Sequence, residues 1–186
     1  MPNCWVEANG VQLRFERRVG PGGTIVLLHE MGGALESWDN VVPLLQRYAT
    51  VLRYDQRGAG LSEKPREPLS VENAANDLAG LLDVLGISDP VAVVGAAVGA
   101  AVAVAFAAAY PERVHSLVLL APATVLEGER RLAAEGRIEA LEKLGIRKAF
   151  ANNAGATRSR YEEIRLAADP ASFAATWRML IGLRMD

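Results

Sequence analysis

The segment from Val91 to Tyr110, VAVVGAAVGAAVAVAFAAAY, constrains this chain more than any other stretch. PVAVVG is short, β-branched and apolar, as a buried strand is. AAVGAAVAVAFAAAY runs directly on from it as a helix of small residues, which Pro111 stops. A strand that passes into a helix with so little between them must turn sharply. Gly95 and Gly99 flank the turn with G-x-x-x-G spacing, as expected where a helix passes so close to its strand that a Cβ has no room. The residue between them, Ala97, is then held in a strained conformation at the carboxyl end of the sheet, where crevice sites form. Glycines at this spacing also arise from close packing alone. The rest of the chain supplies the context.

TIVLLHE predicts a buried strand ending near Leu28 and followed by a loop. ATVLRYD predicts a second strand closed by the glycines of QRGAG, and VHSLVLLAP a further one after the helix. Between them, SWDNVVPLLQRY has helical spacing with Ser37 or Asp39 as its N-cap. LSVENAANDLAGLLDVLG reads as a long helix capped by Ser70 and ended by Gly86. Strands alternating with helices predict an α/β fold: a mostly parallel sheet with helices on both faces. From Glu127 the strand signals stop and charged helical segments follow, with a break at Asp169-Pro170. The expected division is a core over residues 1–124 and a helical cap or lid over 125–186. Because the chain does not return to the sheet, the sheet is expected to be incomplete and the sequence to continue beyond Asp186.

Four motifs occur in an order that resembles the α/β-hydrolase superfamily, in particular its bacterial esterase, enol-lactonase and carbon–carbon hydrolase branch. LLHEMGG with Ser37-Trp38 resembles the oxyanion loop of that family. YDQRGAGLS, Tyr54 to Ser62, resembles its D-x-R-G-x-G-x-S turn and is the most specific of the four. GAAVG resembles the nucleophile elbow, and YPERVHSLVLLAPA the stretch after the elbow helix. The resemblance covers most of residues 8–124.

The resemblance implies a serine at the centre of the elbow, a histidine base oriented by an acid, and two backbone N–H groups that hold the oxyanion. By position those donors are Met31 and Val98, and the nucleophile's place is taken by Ala97, whose methyl group cannot attack. His29 falls in the oxyanion loop, where it shapes the loop. His115, after PERV, reads as a surface residue. The family's acid and base follow the cap, beyond this sequence. Without a complete triad only a residual acceleration of about 10³–10⁴ over water survives, so the chain as written is not expected to act as a serine hydrolase.

Glu30 stands where the family has glycine. A carboxylate beside an anion hole either points away, with Arg57 as a candidate partner, or serves as an acid or base near the substrate. Asp55, Arg57 and Ser62 read as turn-forming. His29, Trp38 and Trp177 are candidates for a substrate pocket. Phe173 and Met179 could also wall one, although core packing is the commoner role for each. Arg158, Arg160 and Arg165 read as a solvated helix face.

Three functions stay open at this point. One is a hydrolase of a small ester, lactone or diketone-like carbon–carbon bond with Ala97 at the nucleophile's position. Another is a non-serine enzyme of this fold that uses Glu30. The last is a binding module that keeps the cavity for recognition.

A formal net charge of -2 with acids and bases interspersed gives no electrostatic footprint for nucleic acid. One cysteine, Cys4, fits a reducing compartment. MPNCWVEANG lacks the pattern of a secretory leader, and the Ala-rich stretch Val91–Phe106 is too short to span a bilayer, which takes about 20 residues. The expectation is a cytoplasmic protein with a small-molecule substrate, no metal, no cofactor and no membrane partner, with association of copies left open.

Overall fold

The computed structural model describes residues 4–64, 67–123, 125–150 and 160–183. Six strands form one sheet: β1 (Cys4–Ala8), β2 (Val11–Arg18), β3 (Thr24–Leu28), β4 (Thr50–Tyr54), β5 (Val91–Ala96) and β6 (Val114–Leu120). Their order is β1-β2-β4-β3-β5-β6. β2 runs antiparallel to both β1 and β4, whereas β4, β3, β5 and β6 are mutually parallel. The four parallel strands are those expected from the sequence, and the hairpin β1–β2 is an addition. Its signal is Asn9-Gly10 between two alternating segments. Asn9 (φ 48°) and Gly10 (φ 73°) both take the left-handed conformation that a two-residue hairpin turn requires.

The parallel strands present alternate side chains to two layers. Val26, Leu28, Leu52, Tyr54, Val91 and Val93 pack with Leu78 and Leu82 of α2 (Val71–Val84) and with Phe106 of α3 (Val98–Ala109). Leu27 and Val51 pack on the opposite face with Trp38 and Val42. Trp38 is therefore a core residue beneath the sheet, and its assignment to a substrate pocket is corrected. The helix expected over Ser37–Tyr48 is also broken. A 3-10 turn spans Leu35–Trp38, and α1 (Val42–Leu45) is a single turn with Pro43 at its start. Proline has no N–H to donate and is accommodated only in a helix's first turn, so neither Ser37 nor Asp39 caps a long helix. α2 follows expectation: the Ser70 hydroxyl accepts from the Asn73 amide at 3.0 Å, and Gly86 (φ 65°) lies just past its end.

After β6 come α4 (Gly128–Leu144), α5 (Ile146–Ala149), α6 (Arg160–Ala167) and α7 (Pro170–Ile181). The Asp169-Pro170 break is the start of α7, where the Asp169 carboxylate accepts from the Ser172 amide at 2.8 Å. Ile138, Leu141, Ile146, Phe173 and Ala174 form a cluster of their own, while Met179 and Leu180 join the cluster that the strands share with α2 and α3. α7 thus ties the helical layer to the strands. β6 carries the continuous apolar run of a strand covered on both faces, yet Val118 and Leu120 are 47% and 45% exposed.

Candidate active site

β3 is flanked by β4 on one side and β5 on the other, so successive connections leave β3 and β5 in opposite directions along the sheet. Such a switch point opens a crevice between the two loops at the carboxyl ends of the strands. Leu28, the last residue of β3, is in register with Gly95 of β5. The loop beginning at His29 and the bend at Ala97 are therefore neighbours.

Ala97 has φ 49° and ψ -110° at the head of α3. A residue with a Cβ pays for that conformation, and it persists only where the surroundings over-determine it. Here the Ala97 amide donates to the Leu120 carbonyl at 2.9 Å, and its own carbonyl accepts from the amides of Ala100 and Ala123, each at 3.1 Å. The glycines permit the approach: a Cβ on Gly95 would lie 2.6 Å from the Ala100 Cα.

Across the crevice, the Gly33 amide donates to the Glu30 carbonyl at 3.0 Å, closing a turn in which Gly32 takes φ 70°. Met31 sits within that turn, and Val98 is the first residue of α3, where backbone N–H groups have no intrahelical acceptor. Among the described residues neither amide has a backbone acceptor. Met31, Ala97 and Val98 line one cavity of about 300 Å³. Two amides without a backbone acceptor among the described residues and the positive end of a helix beside Ala97 form a setting suited to developing negative charge.

His29 is buried, and both ring nitrogens are engaged. Nε2 accepts from the Gln56 amide at 3.1 Å, which leaves the proton on Nδ1 to donate to the Glu30 carbonyl at 2.8 Å. The Gln56 side chain also donates to the His29 carbonyl at 2.8 Å. The ring fastens the loop after β3 to the turn after β4. His115 stands near the start of β6, five residues before Leu120, or about 17 Å along a strand. It is remote from Ala97.

The Glu30 carboxylate accepts from the Ser37 hydroxyl at 2.9 Å and packs on Gly33. It lines a cavity of about 30 Å³ with His29, Gln56 and Thr176, which adjoins the larger one at Ala97 through Met31 and Val98. Arg57 does not pair with it. The Arg57 Nε donates to Asp77 at 2.8 Å, and this bond to a buried carboxylate holds the guanidinium pKa up. Asn9 Nδ2 donates to the same carboxylate at 2.8 Å. Asp55 accepts from the amides of Leu35 (2.7 Å) and Leu61 (2.8 Å) and from Arg14 (3.0 Å), while the Ser62 hydroxyl donates to the Asp55 carbonyl at 2.6 Å. This motif is a turn-forming network.

Trp177 and Phe173 do line the Ala97 cavity. Met179, 9% exposed, packs in the core that the strands share with α2 and α3. Phe150, Arg137 and Arg165 also line the cavity, and the sequence reading had not placed them there. Phe150 stacks on Phe173 with centroids 5.6 Å apart. Arg165 is half-buried with its guanidinium 4.7 Å from the Phe150 centroid, which corrects its reading as a solvated face residue. Arg158 lies outside the described residues. For Arg137 a signal existed: it adjoins the stripe Ala134, Ile138 and Leu141 by which α4 is buried. Among the described residues no group of three or more His, Cys, Asp or Glu side chains is gathered to hold a metal, and no helix is long and apolar enough to cross a membrane.

A family model described as the alpha/beta hydrolase fold matches residues 23–170. This chain belongs to that family. It is 30% identical over 122 residues to a 2-hydroxy-6-oxo-6-(2'-aminophenyl)hexa-2,4-dienoic acid hydrolase of Metapseudomonas resinovorans, covering 64% of this chain and 42% of the relative. It is 36% identical over 124 residues to a 2-hydroxy-6-oxo-2,4-heptadienoate hydrolase of Pseudomonas putida, covering 64% and 44%. The chain thus spans under half the length of these relatives. Among solved structures, the enol-lactonase of Burkholderia xenovorans superposes with a TM-score of 0.85 at 24% identity, over 96% of this chain and 74% of that one. The sheet described above is the fold of this family.

Proposed function

We propose that this chain is the elbow-bearing part of a hydrolase acting on a small ester, lactone or diketone-like carbon–carbon bond, with Ala97 in the nucleophile's place and α4 to α7 as its cap. The observation that carries the reading is the backbone of Ala97 (φ 49°, ψ -110°) beside the amides of Met31 and Val98. A strained bend held by three backbone hydrogen bonds is what a nucleophile needs in order to be presented to a carbonyl, with the two amides receiving the oxyanion. The relatives named as hydrolases of 2-hydroxy-6-oxo dienoates, and the structural likeness to an enol-lactonase, favour the same chemistry. With alanine at the bend, the chain binds a carbonyl compound and does not acylate.

The test is Ala97→Ser in the longest natural polypeptide that contains these residues. The variant should gain labelling by a fluorophosphonate and hydrolysis of p-nitrophenyl butyrate, both absent from the Ala97 form. A silent variant overturns the reading.

The methyl group of Ala97 also favours a second reading, a ligand-binding module without turnover. Turnover of any bound ligand by the Ala97 form excludes it.

A further inference from the structure

Resting on the reading of Met31 and Val98 as the donors that receive an oxyanion, we infer that Phe173 of α7 is the positioning residue for the Met31 amide. Its ring edge presses on Gly32, so that the amide is held in place only with α7 seated. Met31 and Gly32 are the two central residues of the turn that the Gly33 amide closes on the Glu30 carbonyl at 3.0 Å. Gly32 takes φ 70° at the third position of that turn, as a type II turn requires. A two-residue turn in a loop belongs to the low-stability end of a fold, whereas an oxyanion donor works only within about 2.7–3.1 Å of its oxygen. Packing has to supply the difference.

The helices after β6 supply it. A Cβ on Gly32 would lie 2.9 Å from the Phe173 Cζ, 3.0 Å from its Cε2 and 3.2 Å from the Arg165 Cγ. The edge of the ring stands where a side chain at position 32 would begin, so glycine is required there twice over, by its φ and by the ring. The ring is itself fixed. Phe173 is 5% exposed, its amide donates to the Asp169 carbonyl at 2.9 Å in the first turn of α7, and Phe150 stacks on it. The Met31 side chain packs both against the cluster that contains Phe173 and against the core that the strands share with α2 and α3. One turn further along α7, Thr176 lines the small cavity that Met31 and Val98 also line. α7 is thus seated on the loop after β3. Displacing it takes the ring off Gly32 and frees the turn to carry the Met31 amide out of place. By linkage, a ligand oxygen held by that amide stabilises the seated helix.

The experiment follows hydrogen exchange of the Gly33 amide by NMR in the longest natural polypeptide that contains these residues, with Ala97 unchanged. In the unaltered protein the Phe173 ring protons should show nuclear Overhauser contacts to the Gly32 α-protons. Phe173→Leu keeps an apolar side chain but lacks the Cζ and Cε2 that reach Gly32, and the Gly33 amide should then exchange at least about tenfold faster. Leu141→Ala is the control, because Leu141 is 1% exposed in the same cluster and is not among the described residues that line either cavity. It should lower the urea midpoint at least as much as Phe173→Leu while leaving Gly33 exchange at the parent's rate. In the Ala97→Ser background, Phe173→Leu should lower the limiting rate of fluorophosphonate labelling about tenfold, more than it raises the reagent concentration at half-saturation, and Leu141→Ala should change neither. Missing Overhauser contacts, unchanged Gly33 exchange in Phe173→Leu, equal acceleration in Leu141→Ala, or an unchanged limiting rate overturns the assignment. A silent Ala97→Ser overturns the hydrolase reading alone, since the exchange result is obtained without it.

Discussion

Gly99 of α3 lies directly against the end of β3, so that a Cβ there would come within 2.5 Å of the Leu28 carbonyl oxygen and 2.6 Å of that of His29. This contact brings the bend at Ala97 next to the loop that carries Met31. Gly99→Ala or Gly95→Ala must push backbone against backbone, and overpacking of this kind costs about 1–3 kcal/mol or more. Gly136 in the middle of α4 has nothing within 4 Å of its added Cβ. Gly136→Ala should therefore stabilise by about 0.5–1 kcal/mol, the helix-propensity gain. Urea unfolding midpoints of the three variants check both signs.

Glu16 on β2 is a buried carboxylate that accepts from Arg53 Nε at 2.6 Å and pairs with Arg18 at 2.6 Å. Burial pushes its pKa up, but the hydrogen bonds and charges of Arg18 and Arg53 outweigh burial and hold it below the usual carboxylate range. A group with a depressed folded pKa contributes stability that is present above its unfolded value, about 4.3, and lost as pH falls through the folded value. Acidification from about pH 5 to pH 3 should therefore weaken the fold through this residue. Glu16→Gln should be less stable than the parent at pH 7, and the gap should narrow by pH 3. A gap that stays constant across chemical denaturation at the two pH values contradicts this origin.

The bend at Ala97, the four strand segments β3 to β6 and the cap at Ser70 were legible because each is signalled by residues close in sequence. Glycine spacing, a hydroxyl three residues from an amide and a short β-branched run all encode local geometry. What was not legible depends on partners distant in sequence. Arg57 finds Asp77 rather than Glu30 because α2 brings a buried carboxylate to it from twenty residues away. Trp38 lies near the loop after β3 in sequence, yet the 3-10 turn directs it onto the face of the sheet opposite α2 and α3. Arg165 belongs to a charged helix that reads as solvated, and tertiary placement brings its guanidinium to within 4.7 Å of the Phe150 centroid. The hairpin was locally encoded by Asn9-Gly10, and the alternation on either side of it would have revealed β1 and β2.

Asp55 is fully buried and is the common acceptor for Leu35, Leu61 and Arg14. Asp55→Ala leaves the buried Arg14 guanidinium without this partner and two amides without acceptors. The loss of one member of a buried pair costs about 3–5 kcal/mol. Ser62→Ala removes a hydroxyl that donates to the Asp55 carbonyl and accepts from the Arg14 amide at 2.8 Å, and should cost less, about 1–3 kcal/mol. Because both residues belong to one network, the double variant should lose less than the sum of the two. Guanidinium chloride unfolding of the four proteins tests this, and strict additivity would show that the network is not a unit.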